Sequence, residues 1–191
     1  MLYDQNSVRL LLGCLLIKPS LAISDKYPMS RNDFTVDFHL RLWQGCVALA
    51  KRGAESISAL DLYMLCKNNK QVEDIFKLNH LDDFIDTVKQ LANVGNFEVY
   101  YNNTRRATLL RSYKNAGYNV DKFEQDDKAT IEDIVQYFDA QQISIKKQFY
   151  KDKDIDEHNT IDRIGHLMKN KWFSFKEYIE KVKEIKGIVE E

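Results

Sequence analysis

The side chains of this sequence that could do chemistry match no catalytic or metal-binding pattern. Its four histidines are His39, His80, His158 and His166. None of them belongs to an H-E-x-x-H motif or an i, i+4 pair, and no cysteine stands near one at zinc-ligand spacing. No G-x-S-x-G segment is present to hold a nucleophilic serine. We therefore predict no catalytic residue and no metal site in this chain.

Phosphate-binding loops are also missing from the sequence. Neither G-x-x-x-x-G-K-[ST] nor G-x-G-x-x-G occurs, and the seven glycines are scattered. We expect no cofactor in this chain. Arg105, Arg106 and Arg111 lie on one long predicted helix, where they could pair with the acids of a partner or form a solvated basic edge. The sequence leaves both interpretations open.

The composition predicts an all-α protein. Among 191 residues there are only seven Gly and two Pro, too few turn formers for a sandwich or barrel. A net charge of −1 gives no general electrostatic reason to bind nucleic acid or an anionic membrane. Three cysteines without C-x-x-C spacing are typical of a reducing compartment, so we predict a cytoplasmic protein without disulfides.

Residues 1–94 are predicted to form a helical head, which must position any functional surface. Apolar spacing predicts a first helix that ends near Lys18 and a second that starts at Asn32 or Asp33 and closes at Gly53. Ser58 and Asp61 form a capping-box pattern for the next helix. A loop is expected at 68–70, and a further amphipathic helix from Leu81 to the turn at Gly95.

The stretch 96–117 predicts a long helix with two apolar faces. One strip contains Phe97, Tyr100, Tyr101, Thr104 and Ala107, and the other contains Val99, Leu109, Leu110, Tyr113 and Ala116. A helix with two such strips needs cover on both sides. It is either half of a helical hairpin that joins subunits or the central helix of a monomeric bundle, and the spacing does not choose between them.

A second long helix completes the predicted hairpin over 95–149. Residues 118–128 are polar and predicted to be loop, and Thr130 and Asp133 cap a helix with apolar residues in register up to Phe149. On the hairpin hypothesis, the subunit interface consists of Phe97, Tyr100, Tyr101, Ala107, Leu110, Tyr113, Ile134 and Phe138.

Residues 150–191 are predicted to be a linker region that follows the 1–149 domain. Lys and Asp alternate from 150 to 157, and Ser174 and Glu177 form a capping box for an amphipathic helix over 174–186. Its apolar face contains Phe175, Tyr178, Ile179, Val182 and Ile185. Because one such helix cannot bury its stripe alone, it must dock on its own domain, on another subunit or on a further domain.

Three groups of residues share an order and spacing with a known family. The first is Ser7-Val8 with Gly13 to Leu16, which looks like an S-V-L-G-x-L-L opening. The second is Asp33-Phe34, His39, Leu49 and Gly53. The third is Asn96, Tyr100 or Tyr101, Arg105 or Arg106, Leu110 and Arg111. Over residues 1–149 the pattern resembles the N-terminal domain of bacterial replicative DNA helicases of the DnaB type. The Lys, Asn and Asp usage is typical of an AT-rich source such as a bacterial virus.

The resemblance implies a head and hairpin that assemble as dimers and as a trimer of dimers in a hexameric ring. It implies that the domain binds primase and a helicase loader in a primosome, and that single-stranded DNA is contacted only through the full ring. It also implies a linker helix that binds the neighbouring ATPase domain. ATP and magnesium would belong to that motor domain, which this chain lacks. The chain is then either part of an ATP-dependent helicase or a stand-alone phage adaptor that loads or inhibits a helicase. A helix-turn-helix DNA binder is a third hypothesis, disfavoured by the net charge.

Overall fold

The computed structural model describes residues 2–126 and 128–149, and every regular element within them is helical. The all-α prediction is confirmed. The eight α-helices are α1 (Gln5–Ile17), α2 (Asp37–Ala50), α3 (Ala59–Cys66), α4 (Lys70–Leu78), α5 (Leu81–Leu91), α6 (Phe97–Asn115), α7 (Asp121–Gln125) and α8 (Ile131–Phe149). Short 3-10 helices occupy Pro19–Ile23, Arg31–Asp33 and Val94–Asn96.

The chain divides into two compact units, one ending at Ile134 and the other beginning at Val135. The first unit contains α1 to α7 and the first turn of α8. The predicted linker at 150–157 and the predicted docking helix at 174–186 lie outside the described residues. Within the described residues, no helix has both the length and the apolar character needed to cross a membrane.

Helix α1 is the centre of the first unit and packs against α2, α5 and α6. Its Leu11, Leu12, Leu15 and Leu16 side chains are fully buried. A Cβ on Gly13 would stand 2.5 Å from the carbonyl oxygen of Val88 and 2.7 Å from the Cβ of Ala92. The glycine therefore lets the backbones of α1 and α5 approach more closely than any other residue would allow.

Three helices, α1, α3 and α8, begin with a side-chain cap. At α3, Ser58 and Asp61 form the expected capping box: the Ser58 backbone N–H donates to Asp61 Oδ2 at 2.8 Å, and the Asp61 N–H donates to Ser58 Oγ at 3.3 Å. Thr130 and Asp133 repeat the arrangement at α8. At α1 the cap is Asp4, whose Oδ1 accepts from the Ser7 N–H at 2.9 Å.

Three local predictions differ from the structure. Helix α2 begins at Asp37, because Asp33 caps a 3-10 turn by accepting from the Ser30 N–H at 2.7 Å. Helix α4 was not predicted, although Asn69 caps it, because it presents only a short apolar set to the core. Helix α7 interrupts the predicted 118–128 loop, since Phe123 is buried and anchors one turn of helix there.

Candidate assembly surface

The inner side of α6 lies against the head. Phe97, Thr104 and Ala107 are buried, and Tyr27 packs edge-on against the ring of Phe97 with centroids 5.0 Å apart. Tyr27 also meets Tyr101, whose hydroxyl donates to the Pro28 carbonyl at 3.0 Å. The first apolar strip of α6 is therefore covered by residues of the same chain.

Arg105 fixes α6 to the turn before α2. Its Nη1 lies 2.9 Å from both carboxylate oxygens of Asp33, and the Asp33 side chain is fully buried. The same carboxylate also accepts from the backbone and side chain of Ser30. The guanidinium of Arg105 and the two donors of Ser30 compensate the charge of the buried Asp33 carboxylate. The Arg105–Asp33 ion pair therefore links α6 to the head.

Arg111 joins α6 to two separate parts of the chain. Its Nη1 donates to the Leu2 carbonyl at 2.8 Å, and its Nη2 donates to the Asn32 carbonyl at 2.8 Å. The guanidinium also lies over the ring of Tyr3, 5.5 Å from its centroid. Burial lowers the pKa of Arg111 from its usual range, although the group stays charged. Arg111 thereby holds the start of the chain and the Arg31–Asp33 turn against α6.

Arg106 binds the segment that connects α6 to α8. Its Nε donates to the Ala129 carbonyl at 2.9 Å, and its Nη2 donates to the carbonyls of Phe123, at 2.7 Å, and Asp126. All three arginines are thus engaged inside the chain. The solvated basic edge is wrong for them, because each guanidinium is bonded within the chain, whereas pairing with a partner's acids stays a prediction.

The eight residues predicted to form the subunit interface occupy two kinds of environment. Tyr100, Tyr101 and Tyr113 are half-buried. The buried members are Phe97, Ala107, Leu110, Ile134 and Phe138. Side chains that are buried in this way can support an interface from beneath but cannot supply its contact area.

Some apolar side chains of the two long helices are exposed. The sequence predicts them as members of apolar strips but not as interface residues. Val99 on α6 is 56% exposed. In the second unit, Ile145 is 55% and Phe149 77% exposed, four residues apart on one face of α8. These two continue the apolar stripe whose earlier members Ile134 and Phe138 are fully buried. Ile145 and Phe149, hereafter the α8 end stripe, form an apolar pair open to solvent.

A second exposed apolar pair, which the sequence does not predict, lies on α3. Leu60 and Met64 are 67% and 68% exposed, while Leu62 on the other side of the helix is fully buried. Their i, i+4 spacing is visible in the sequence. The signal was obscured because α3 carries apolar residues all round its circumference.

The described residues contain little that could do chemistry. No group of three or more His, Cys, Asp and Glu residues within them could hold a metal ion. Burial raises the pKa of Cys14 to about 11 and that of Cys46 to about 12, so both are neutral thiols at physiological pH. Burial, with a smaller contribution from the charge of Arg9, lowers the pKa of His39 to about 4. A cleft beside Asp33, His39 and Arg111 has a volume of about 10 Å³, room for roughly one water molecule.

Comparison with known proteins gives one informative similarity. The chain is similar to a protein of Bacillus subtilis (strain 168) described as "SPbeta prophage-derived uncharacterized protein YorI", with 26% identity over 165 residues. The match covers 78% of this chain and 33% of the relative, so the chain spans about a third of the length of this curated protein. This chain is related to a phage-derived protein. No protein-family profile matches the chain, and no solved structure does.

Proposed function

We propose that this chain is the N-terminal assembly and partner-binding domain of a phage replicative DNA helicase of the DnaB type. It contributes helical surfaces to ring assembly and to the binding of primase and a helicase loader, while a separate motor domain binds ATP and magnesium. Single-stranded DNA is contacted only by the assembled ring. The chain itself makes and breaks no covalent bond.

The observation that carries this proposal is the meeting in space of residues from the stretches that resemble the helicase family. Asn103 on α6 donates to the hydroxyl of Ser7 at 3.2 Å, across 96 positions of sequence. Arg105 binds Asp33 at 2.9 Å, 72 positions away. Stretches that belong to one domain of the family must lie together in space, and these stretches do. The contacts among α1, the Arg31–Asp33 turn and α6 therefore support the resemblance.

The relative supports the proposal in a second way. It comes from a prophage, and about two thirds of its length lies outside the match. A domain that recurs within a longer phage protein is the arrangement expected when an assembly domain is joined to a motor domain. A continuing reading frame after codon 191 that encodes G-x-x-x-x-G-K-[ST] would agree with this arrangement. A stop codon there would favour the stand-alone adaptor instead.

On this proposal, copies of the chain associate through the outer side of α8. The α8 end stripe supplies exposed apolar area there, and the fully buried Phe138 holds the same helix in place. Two large apolar side chains per copy are a small part of a stable interface, so polar residues of the same helix must complete it. The predicted docking helix at 174–186 is proposed to bind the neighbouring subunit's motor domain.

Sedimentation equilibrium of the full chain and of two variants tests the assembly. The unmodified chain is expected to form dimers or larger species at tens of micromolar. Phe149→Asp should weaken association at least about tenfold, because it places a charge where apolar area must be buried. Leu78→Asp is the matched control: Leu78 is 80% exposed at the end of α4, outside the proposed surface. A chain that remains monomeric at the highest concentration, or an equal effect of both variants, would refute assembly through α8.

A further inference from the structure

The connection between α6 and α8 is built around one turn of helix, α7. It runs from Gly117, which has a positive φ of 91°, through α7 to Thr130, the residue that caps α8. Asp126 ends α7, and Ala129 immediately precedes the cap of α8. A five-residue helix leaves most of its terminal carbonyls without partners inside the helix. Donors from side chains elsewhere or from water must therefore satisfy the end of α7.

The guanidinium of Arg106 supplies those donors. It donates to the carbonyls of Phe123 and Asp126 at the end of α7 and to the carbonyl of Ala129 at the start of α8. A cation at the carboxyl end of a helix is also favourable for the helix dipole. One side chain on α6 therefore bonds both to the end of α7 and to the residue that precedes the cap of α8.

We propose that Arg106 is a positioning residue that sets where the first turn of α8 begins relative to α6. The role in assembly that follows from this rests on the proposed function, since copies can pair through α8 only if its start is fixed. The bonds require a planar group with donors in fixed directions. A lysine would keep the charge but offers a single flexible ammonium that cannot reach three separated carbonyls at once.

Hydrogen exchange of the full chain tests the positioning role directly. In Arg106→Gln, the amides of Phe123 and Glu124, which donate to the Val120 carbonyl, and that of Ile134, which donates to the Thr130 carbonyl, should exchange at least about tenfold faster. The Ile57 amide, which donates to the Leu16 carbonyl in the head, should keep its rate. Arg106→Lys should behave like Arg106→Gln, whereas a role of charge alone predicts rescue by lysine. Arg52→Gln, at an exposed arginine just beyond α2, is the matched control and should change neither set of amides.

Sedimentation equilibrium on the same variants tests the consequence for assembly. The dissociation constant should rise at least about tenfold in Arg106→Gln and Arg106→Lys and stay unchanged in Arg52→Gln. Unchanged exchange at 123, 124 and 134, or full rescue by lysine, would overturn the positioning role. Faster exchange with unchanged association would overturn the link to assembly. If the unmodified chain does not associate, the proposed function fails, and the exchange rates alone decide whether Arg106 positions α8.

Discussion

Helix α1 and the end of α8 carry the same kind of apolar pattern but have opposite environments. In α1 the leucines at i, i+1, i+4 and i+5 from Leu11 are all fully buried. In α8 the stripe starts with buried Ile134 and Phe138 and ends with the exposed Ile145 and Phe149. Spacing therefore reveals that a helical face needs cover, but it does not reveal whether the chain itself provides that cover. The difference separates the part of the α8 stripe that the chain covers from the α8 end stripe, which it leaves exposed.

The largest difference in the free energy of unfolding is expected between variants of two phenylalanines of one stripe. Phe138→Ala should lower the free energy of unfolding by about 3–5 kcal/mol, because it removes a fully buried ring and leaves a cavity. Phe149→Ala should change it by less than about 0.5 kcal/mol in a dilute monomer, since that ring is mostly exposed. Urea unfolding at low micromolar concentration measures both. Similar losses for the two variants would show that the stripe is covered along its whole length.

A second pair of substitutions separates backbone contact from side-chain contact within the covered region. Gly13→Ala should cost about 3 kcal/mol, because the added methyl group meets the backbone of Val88, which cannot move without separating α1 from α5. Gly45→Ala should cost about 1 kcal/mol, since its nearest neighbour is the terminal Cδ2 of Leu62, which can change rotamer. Thermal and urea unfolding give the two values. Equal costs would mean that α1 and α5 are not held at a fixed distance.

A third test compares a buried histidine with an exposed one by changing pH. The pKa of His39 falls to about 4 in the folded chain, below the usual value of 6.5, so the fold favours its neutral form. The stability that this contributes is complete above about pH 6.5 and is lost as the pH falls towards 4, to a total of about 3 kcal/mol. His39→Gln should remove this part of the acid sensitivity, while His80→Gln, at an exposed site, should leave it unchanged. Urea unfolding between pH 4 and 7 measures the slopes.

Most of the fold was predictable from the sequence because it depends on local signals. The capping box at Ser58 and the termination of α1 at Lys18 before Pro19 each involve residues close together in the chain. The helical spacing that defines α1, α5 and α6 is similarly local. These predictions agree with the structure because propensity, capping and apolar period all favour the same elements.

The roles of the three arginines could not be predicted in the same way. Arg106 and Arg111 donate mainly to main-chain carbonyls, which every residue possesses and which therefore leave no trace in the sequence. Asp33, the partner of Arg105, lies 72 positions away and has the appearance of a helix cap, a role that it also fills. The exposure of Ile145 and Phe149 was equally hidden, because it depends on which parts of the stripe the chain covers.

An arginine that binds carbonyls places almost no demand on the identity of the residues it holds. Positions 2, 32, 126 and 129 can exchange side chains over generations while the same hydrogen bonds persist, provided that Arg106 and Arg111 are kept. In a rapidly mutating viral lineage, the architecture of the domain would in this way persist after most of its residues have changed. Arg106 and Arg111 of α6 would then be a durable marker for recognising distant relatives of this domain.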